Sequence, residues 1–401
     1  MKIIQINAVD SILSTGRTSK ELADYLIERG DDCRVYVGDG IKREKYDYCI
    51  GNWFDHKIHA LLSRLTGLQG YFSVIATRKL IKELNTYKPD IVHLRNLHAN
   101  YINIPLLLKY LAKNRIPTVI TLHDCFFFTG RCFYPSDIEC EEWKDECRNC
   151  NGRRTGNPSL FFCPSHKMYR DKKKYLNLNK YLRVIGVSRW ITEQARQSFL
   201  FDCAEIEEIY NWIDLDRFYP KKNMNIRSVY GLDNKPIILG VATNWNKEKG
   251  ITDFLEVAEY FKDKANIVLV GNVPDSYNNI GRIRHVGLID DLDLLTELYS
   301  EAAVFFNPSR RETFGKVTAE AMACGCPVVV YNNTALPELV GDGCGYIVEN
   351  EDLKGACHML EKVMECKELY SNNCVKYVQA KFNKKDNIER MVQIYEQMLI
   401  K

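Results

Sequence analysis

Short apolar runs alternate with amphipathic stripes along this chain, twice over, and this alternation restricts its fold more than any other feature. Residues 3–6 form an apolar strand-like run. Leu22, Tyr25 and Leu26 recur at helical spacing, Gly30 stops that helix, and residues 34–37 form the next run. Residues 80–84 end a helix, Lys88-Pro89-Asp90 turns, and 91–94 is a strand. Residues 106–111 are helical, Ile116-Pro117 turns, and 119–122 is a strand. Strands separated by helices imply a parallel sheet covered on both faces. A second series has strands at 237–241, 267–270, 304–307 and 328–331, with helices at 251–261, 291–300 and 314–323 between them. The reading is α/β, with two Rossmann-like domains in series. The 401 residues agree with two domains at roughly 100–200 residues each.

Three segments stand outside this rhythm. Residues 125–180 gather cysteines, aromatics and the basic run 170–174, and read as an irregular insertion. Regularity resumes with a strand at 183–187 and a helix at 188–198, with Ser188 as its N-cap. Residues 218–233, with Pro220 and several Asn and Lys, read as a linker. The last helix, 386–400, has Ile388, Met391, Val392, Tyr395, Met398 and Leu399 on one face, so it packs against something. Ligands of open parallel sheets bind at the carboxyl ends of the strands, and the chemistry is sought in those loops.

Charge separates the two halves. Residues 1–222 carry 35 Lys+Arg and 27 Asp+Glu, a net of +8, and residues 223–401 carry 20 and 25, a net of −5. The basic half is full of buried-type apolar runs, which argues against bulk nucleic-acid binding and for a confined anionic partner. No stretch reaches the roughly 18 apolar residues of a membrane span, and the N-terminus has no signal-peptide pattern, so the expected location is the cytoplasm.

The sharpest motif is Glu312-Thr-Phe-Gly-Lys-Val-Thr-Ala-Glu320, between a strand and a helix. Gly315 allows close backbone approach, and the free N–H groups at a helix start favour phosphate. Two carboxylates beside such a site can accept hydrogen bonds from sugar and ribose hydroxyls. Spacing alone also fits a capping Glu and a solvated Glu.

With its flanks, Asn307-Pro308-Ser309 before and Ala321-Met322-Ala323-Cys324-Gly325 and Pro327-Val328-Val329 after, the motif resembles the signature of glycosyltransferase family 4, the retaining enzymes of GT-B fold. Residues 129–132 onward resemble a branch found in bacterial exopolysaccharide and capsule assembly. The resemblance implies parallel sheets facing a central cleft, an acceptor-side domain at 1–210 carrying the insertion 125–180, a donor-binding domain at 211–385, and a helix at 386–401 packing back on the first domain. It also implies roles. Glu312 and the backbone at Phe314, Gly315, Lys316 and Val317 would hold the donor sugar and phosphates, and Glu320 the ribose. Gly16 and Arg17, in a polar loop after the first strand, would lie against the donor diphosphate. His123, in Thr121-Leu122-His123-Asp124, would orient the sugar and acceptor; a single His is more often structural, but a His-Asp step at a strand's carboxyl end favours the site. Lys249-Gly250 matches the family's Lys-Gly, and Lys249 would stabilise the leaving diphosphate. Asn244 stands where the family usually has Arg, leaving Lys247 or Arg17 to supply that charge. Trp212 replaces a family Gly at the crossing between domains.

The implied function is a retaining transfer from a nucleoside-diphosphate sugar, UDP- or GDP-linked, to a saccharide or lipid-linked saccharide. The alternative is a weakly active or inactive GT-B module that serves as a scaffold, for which Asn244 and Trp212 speak. The Asp-x-Asp triplets at 214–216 and 291–293 read as a crossing segment and a helix cap. No cofactor is required for the transfer. Cys132, Cys140, Cys147 and Cys150 fit a structural zinc, free buried thiols or a disulfide, with the reducing cytoplasm against the last. Residues 151–200 carry 11 basic and 2 acidic side chains, and point to an anionic membrane surface, at the inner face of the plasma membrane.

Overall fold

A computed structural model of the chain describes residues 1–154, 156–222, 225–277 and 282–400. Two residues of the expected linker, 223 and 224, therefore lie outside the described residues. The chain forms two compact units, one made of Met1–Ile209 with the chain from Ile388 on, the other of Tyr210–Asn387.

The first unit is built on a parallel sheet of seven strands: β1 (Lys2–Asn7), β2 (Asp32–Val37), β3 (Asp47–Cys49), β4 (Ile91–Leu94), β5 (Thr118–Leu122), β6 (Leu182–Gly186) and β7 (Glu205–Glu208), in the order β3-β2-β1-β4-β5-β6-β7. Every residue of β4, β5 and β6 is buried, as expected for central strands covered on both faces. The outermost strands are shorter or more polar, with β7 reading Glu-Ile-Glu-Glu, a composition that discourages further strand pairing. The order reverses between β1 and β4, the kind of switch point at whose carboxyl ends open parallel sheets bind ligands.

The last helix, Lys384–Ile400, is tied into this unit from Ile388 onward. Its Tyr395 hydroxyl meets His93 Nδ1 at 2.6 Å, and His93 Nε2 meets Thr121 Oγ1 at 2.7 Å, so one buried chain of hydrogen bonds joins helix, β4 and β5. Burial, with the charge of Arg95, pushes the His93 pKa well below its usual value, and the imidazole is a neutral structural group.

Three local expectations need correction. The described residues of 218–233, expected as a linker, belong to the second unit, with a helix at Ile226–Tyr230 and with Phe218 and Ile226 buried. Residues 125–180 are not irregular throughout: Ser165–Leu178 is an α-helix that buries Met168, Tyr169, Lys172 and Leu176 on one face. Its Lys-rich sequence conceals the stripe because Lys172 itself is inside, its ammonium donating to the Phe126 carbonyl and lying 3.9 Å from the Phe126 ring centroid. The segment expected as a polar loop at Gly16 and Arg17 is instead the first turn of the helix Leu13–Glu28.

The second unit holds a six-stranded parallel sheet, β8 (Ile237–Asn244), β9 (Asn266–Asn272), β10 (Ile283–His285), β11 (Val304–Asn307), β12 (Val328–Tyr331) and β13 (Gly345–Val348), in the order β10-β9-β8-β11-β12-β13. Ile238, Leu269, Phe306 and Val329 of the sheet pack in one apolar cluster with Phe254 and Val257 of the helix Ile251–Phe261 and Leu360 of the helix Leu353–Glu365. Here the order reverses between β8 and β11. Those neighbours are far apart in sequence, so the fold alone brings their loops together.

Candidate active site

The loop after β8 carries Asn246-Lys247-Glu248-Lys249-Gly250, and the loop after β11 carries Pro308 to Gly315. Three features join them at the switch point of the second sheet. Arg310 N donates to the Glu248 carbonyl at 2.8 Å, and Ser309 Oγ to the same oxygen at 3.4 Å. Gly250 sits at φ +76°, and a Cβ there would stand 2.5 Å from Pro308 Cγ and 2.8 Å from its carbonyl oxygen. Only glycine tolerates both the backbone conformation and the contact. Finally, the Lys249 ammonium donates to Glu312 Oε1.

Lys249 is held within its own loop, and Glu312 by the loop after β12. Asn246 caps the short turn Lys247–Lys249, its Oδ1 accepting from Lys249 N at 2.9 Å. Glu312 N donates to Thr334 Oγ1 at 2.8 Å. Beneath the loops, Asp253 is 5% exposed and accepts Arg310 Nη1 at 2.6 Å and the Tyr331 hydroxyl at 2.7 Å. Burial works against the Arg310 charge, but the Asp253 carboxylate outweighs it and raises the guanidinium pKa. The two loops are thus fixed to the first turn of the helix that follows Gly250.

The helix Lys316–Ala323 starts at Gly315, whose φ is +91°. A Cβ there would lie 3.0 Å from Leu336 Cδ2. Phe314 and Lys316 are buried and Val317 is half-buried. Glu320 lies inside the helix, fully buried, with the Tyr299 hydroxyl 3.5 Å from Oε2. The structure therefore brings Lys249 and Glu312 together at an accessible edge and buries Glu320 within the helix that follows. Asn244 ends β8, exposed, and accepts from Asn272 Nδ2 at 3.1 Å, and Lys247 is exposed on the same turn as Lys249. Of the two Asp-x-Asp triplets, Asp291 is the N-cap of the helix Leu292–Glu301, and Asp214 accepts Lys384 Nζ at 2.7 Å.

In the first unit, His123 and Asp124 follow β5 and His98 follows β4. His98 Nε2 meets Asp124 Oδ2 at 2.8 Å, and Phe126 N donates to Asp124 Oδ1 at 2.8 Å. Burial would raise the Asp124 pKa, but His98 and these hydrogen bonds lower it. His123 is half-buried and stands within electrostatic reach of both Asp124 and His93. Asp10, in the loop after β1, was not singled out from sequence. It is fully buried, and desolvation, with the charge of Asp47, raises its pKa to about 6. Its only signal is its position at a strand's carboxyl end.

Cys132, Cys140, Cys147 and Cys150 line one small cavity with Trp143, and Gly130 N donates to Cys147 Sγ at 3.2 Å. Among the described residues no three or more His, Cys, Asp or Glu are gathered as a metal ion would hold them. Nor, among those residues, is any helix long and apolar enough to cross a membrane.

Residues 15–217 match the family model for glycosyltransferase family 4, and residues 222–381 that for glycosyl transferases group 1. An uncharacterised 41.2 kDa protein in the cps region of Klebsiella pneumoniae is 25% identical over 356 residues, covering 83% of this chain and 84% of that protein. The N,N'-diacetylbacillosaminyl-diphospho-undecaprenol alpha-1,3-N-acetylgalactosaminyltransferase of Campylobacter jejuni is 28% identical over 204 residues, 47% of this chain and about half (53%) of that enzyme. Among solved structures, a sucrose-phosphate synthase from Thermosynechococcus elongatus superposes with a TM-score of 0.72 at 18% identity, covering 99% of both chains. That likeness spans both units and shows the GT-B fold.

Proposed function

This chain belongs to glycosyltransferase family 4, and we propose that it transfers a sugar, with retention of configuration, from a UDP- or GDP-sugar to a hydroxyl of a lipid-linked saccharide in cell-surface polysaccharide assembly. That it is a glycosyltransferase follows from the family. The finer reading draws support from the Klebsiella relative, whose gene lies in a cps region, and from the Campylobacter relative, whose name describes a diphospho-undecaprenol acceptor.

The observation that carries the reading is the meeting of Lys249 and Glu312 at the switch point of the second sheet. In the proposed reaction, Glu312 accepts hydrogen bonds from the donor sugar, the backbone at Phe314–Val317 takes the phosphates, and Glu320 takes the ribose. Negative charge develops on the diphosphate as its bond to the sugar carbon breaks. A cation already held in place stabilises that charge without reorganisation, which is the role given to Lys249. The acceptor hydroxyl attacks from the face the diphosphate leaves, and its proton passes to a phosphate oxygen. No carboxylate nucleophile is required. His123 is given the acceptor-side role, and Lys247 or Arg17 the second positive charge that Asn244 lacks. The protein is read as peripheral on the inner face of the plasma membrane, where such an acceptor is presented.

Proton NMR of the product tests the stereochemistry. An α-linked donor is expected to give an α-linked product, with release of one nucleoside diphosphate per transfer, and a β-linked product would contradict the retaining reading.

A further inference from the structure

The helix Trp53–Thr66 turns an apolar stripe away from its own unit. Phe54, Ile58 and Leu61 are 69%, 58% and 59% exposed. At 3.6 residues per turn these three positions fall within a sector of about 60°. The helix does not need that stripe for packing: its opposite side buries His59 and Ser63, and its start is fixed by a capping box between Asn52 and Asp55. Trp53, 64% exposed, stands edge-on to Phe54 at 4.9 Å, with the Lys57 ammonium 5.5 Å from the Trp53 ring.

A second apolar element lies against the end of the same helix. Leu160 N donates to the Arg64 carbonyl at 2.8 Å, and Arg64 Nη1 donates to the Pro158 carbonyl at 2.9 Å. Arg153 Nη1 holds the Leu160 carbonyl at 2.6 Å. The loop so fixed presents Phe161 and Phe162, 65% and 64% exposed, their rings 6.4 Å apart. Two large apolar groups thus face outward on adjoining, hydrogen-bonded elements, an arrangement that marks an interaction surface rather than scattered surface residues.

The charge around the surface is positive. Lys57 and Arg64 lie along one side of the stripe, and Arg153 and Arg154 precede the loop. The acidic neighbours are engaged, Asp55 in the capping box and Asp171 with Lys167 at 2.5 Å. A symmetric pairing of two copies would set this basic patch against itself. An anionic bilayer meets both features, accepting aromatic and aliphatic groups at the acyl boundary and attracting each Lys and Arg near the headgroups.

We propose that the outer stripe of the helix Trp53–Thr66, together with Leu160, Phe161 and Phe162, is the face by which this protein seats on an anionic lipid bilayer. This deepens the lipid-linked acceptor reading and rests on it. The test is co-sedimentation of the full chain with phosphatidylglycerol vesicles and with neutral phosphatidylcholine vesicles. Wild-type protein is expected to bind the former, more weakly in high salt, and to bind the latter poorly. A Phe161→Ser, Phe162→Ser double variant, whose changes are at exposed positions, is expected to bind at least about tenfold more weakly. It should transfer sugar to a water-soluble acceptor as fast as wild type. Binding by the double variant equal to wild type overturns the assignment of this face while leaving the proposed function standing. So does a wild-type protein that binds neither vesicle yet glycosylates a lipid-linked acceptor in detergent. Light scattering that shows a wild-type dimer, broken by the double substitution, would reassign the surface to a second copy.

Discussion

Replacing Lys249 by alanine separates catalysis from stability at the candidate site. The Lys249 side chain is 35% exposed and that of Glu312 17%, so their ion pair is solvent-screened. Such pairs contribute about 0–1 kcal/mol. The hydrogen bond from Lys249 N to Asn246 survives the substitution, because it uses the main chain. The loss of stability should therefore stay under about 1 kcal/mol, which for a unit of this size lowers Tm by no more than about 2–4 °C. The effect on transfer is of another order. Removing one preorganised group that stabilises developing charge costs about 3–4 kcal/mol, or roughly 100- to 1,000-fold in kcat. Thermal denaturation and a nucleotide-release assay on the same preparation give both quantities. A fall in kcat of less than about tenfold with Tm unchanged would move the charge-stabilising role to Lys247 or Arg17. A large loss of Tm would show that the pair is structural.

Other perturbations test other parts of the account. Asp253→Ala strands the Arg310 guanidinium and the Tyr331 hydroxyl beneath the paired loops. A urea melt should show a loss of about 3 kcal/mol, the low end for a broken buried pair because Arg310 also reaches Glu351, and a loss below about 1 kcal/mol would contradict the network. Asp10 has a folded-state pKa raised to about 6. Between its ordinary value and that pH the native state keeps a proton the unfolded chain has released, so stability falls as pH rises through this window. Asp10→Asn should then raise Tm at pH 7.5 relative to wild type and change it less at pH 4, and an equal change at both would refute the assignment. If Cys132, Cys140, Cys147 and Cys150 draw together on a structural zinc, anaerobically purified protein will carry about one zinc per chain and lose thermal stability on chelation, whereas a stoichiometry near zero assigns them to the packed insertion.

The central strands were legible because short runs of β-branched and apolar residues dominate them, as in β4, β5 and β12, even where His93 or Thr121 interrupts the run. Several helices were not, and two of them show why. Ser165–Leu178 buries a lysine, so its inward face does not read as apolar. Trp53–Thr66 turns Phe54, Ile58 and Leu61 to solvent, so its apolar stripe is not the one that packs. At the site, Glu312 and Lys249 were each legible from local motifs. Their contact was not, because it depends on β11 lying beside β8, a consequence of strand order that no local spacing encodes. The same holds for Asp253, Arg310 and Tyr331, which stand on three separate elements, and for the pairing of His98 with Asp124 across two strand ends. Gly250 was legible from the Lys249-Gly250 match. That Gly250 sits against Pro308 was not.

The central claim is that Glu312, held beside Lys249 between the loops after β8 and β11, grips the donor sugar. Nucleoside diphosphate release across a panel of UDP- and GDP-sugars, measured for wild type and Glu312→Ala side by side, tests it most directly. The account predicts turnover by wild type with at least one donor, and loss of that turnover in the variant with Tm nearly unchanged. A variant as active as wild type, or a wild type that turns over no donor with any saccharide acceptor, would contradict it.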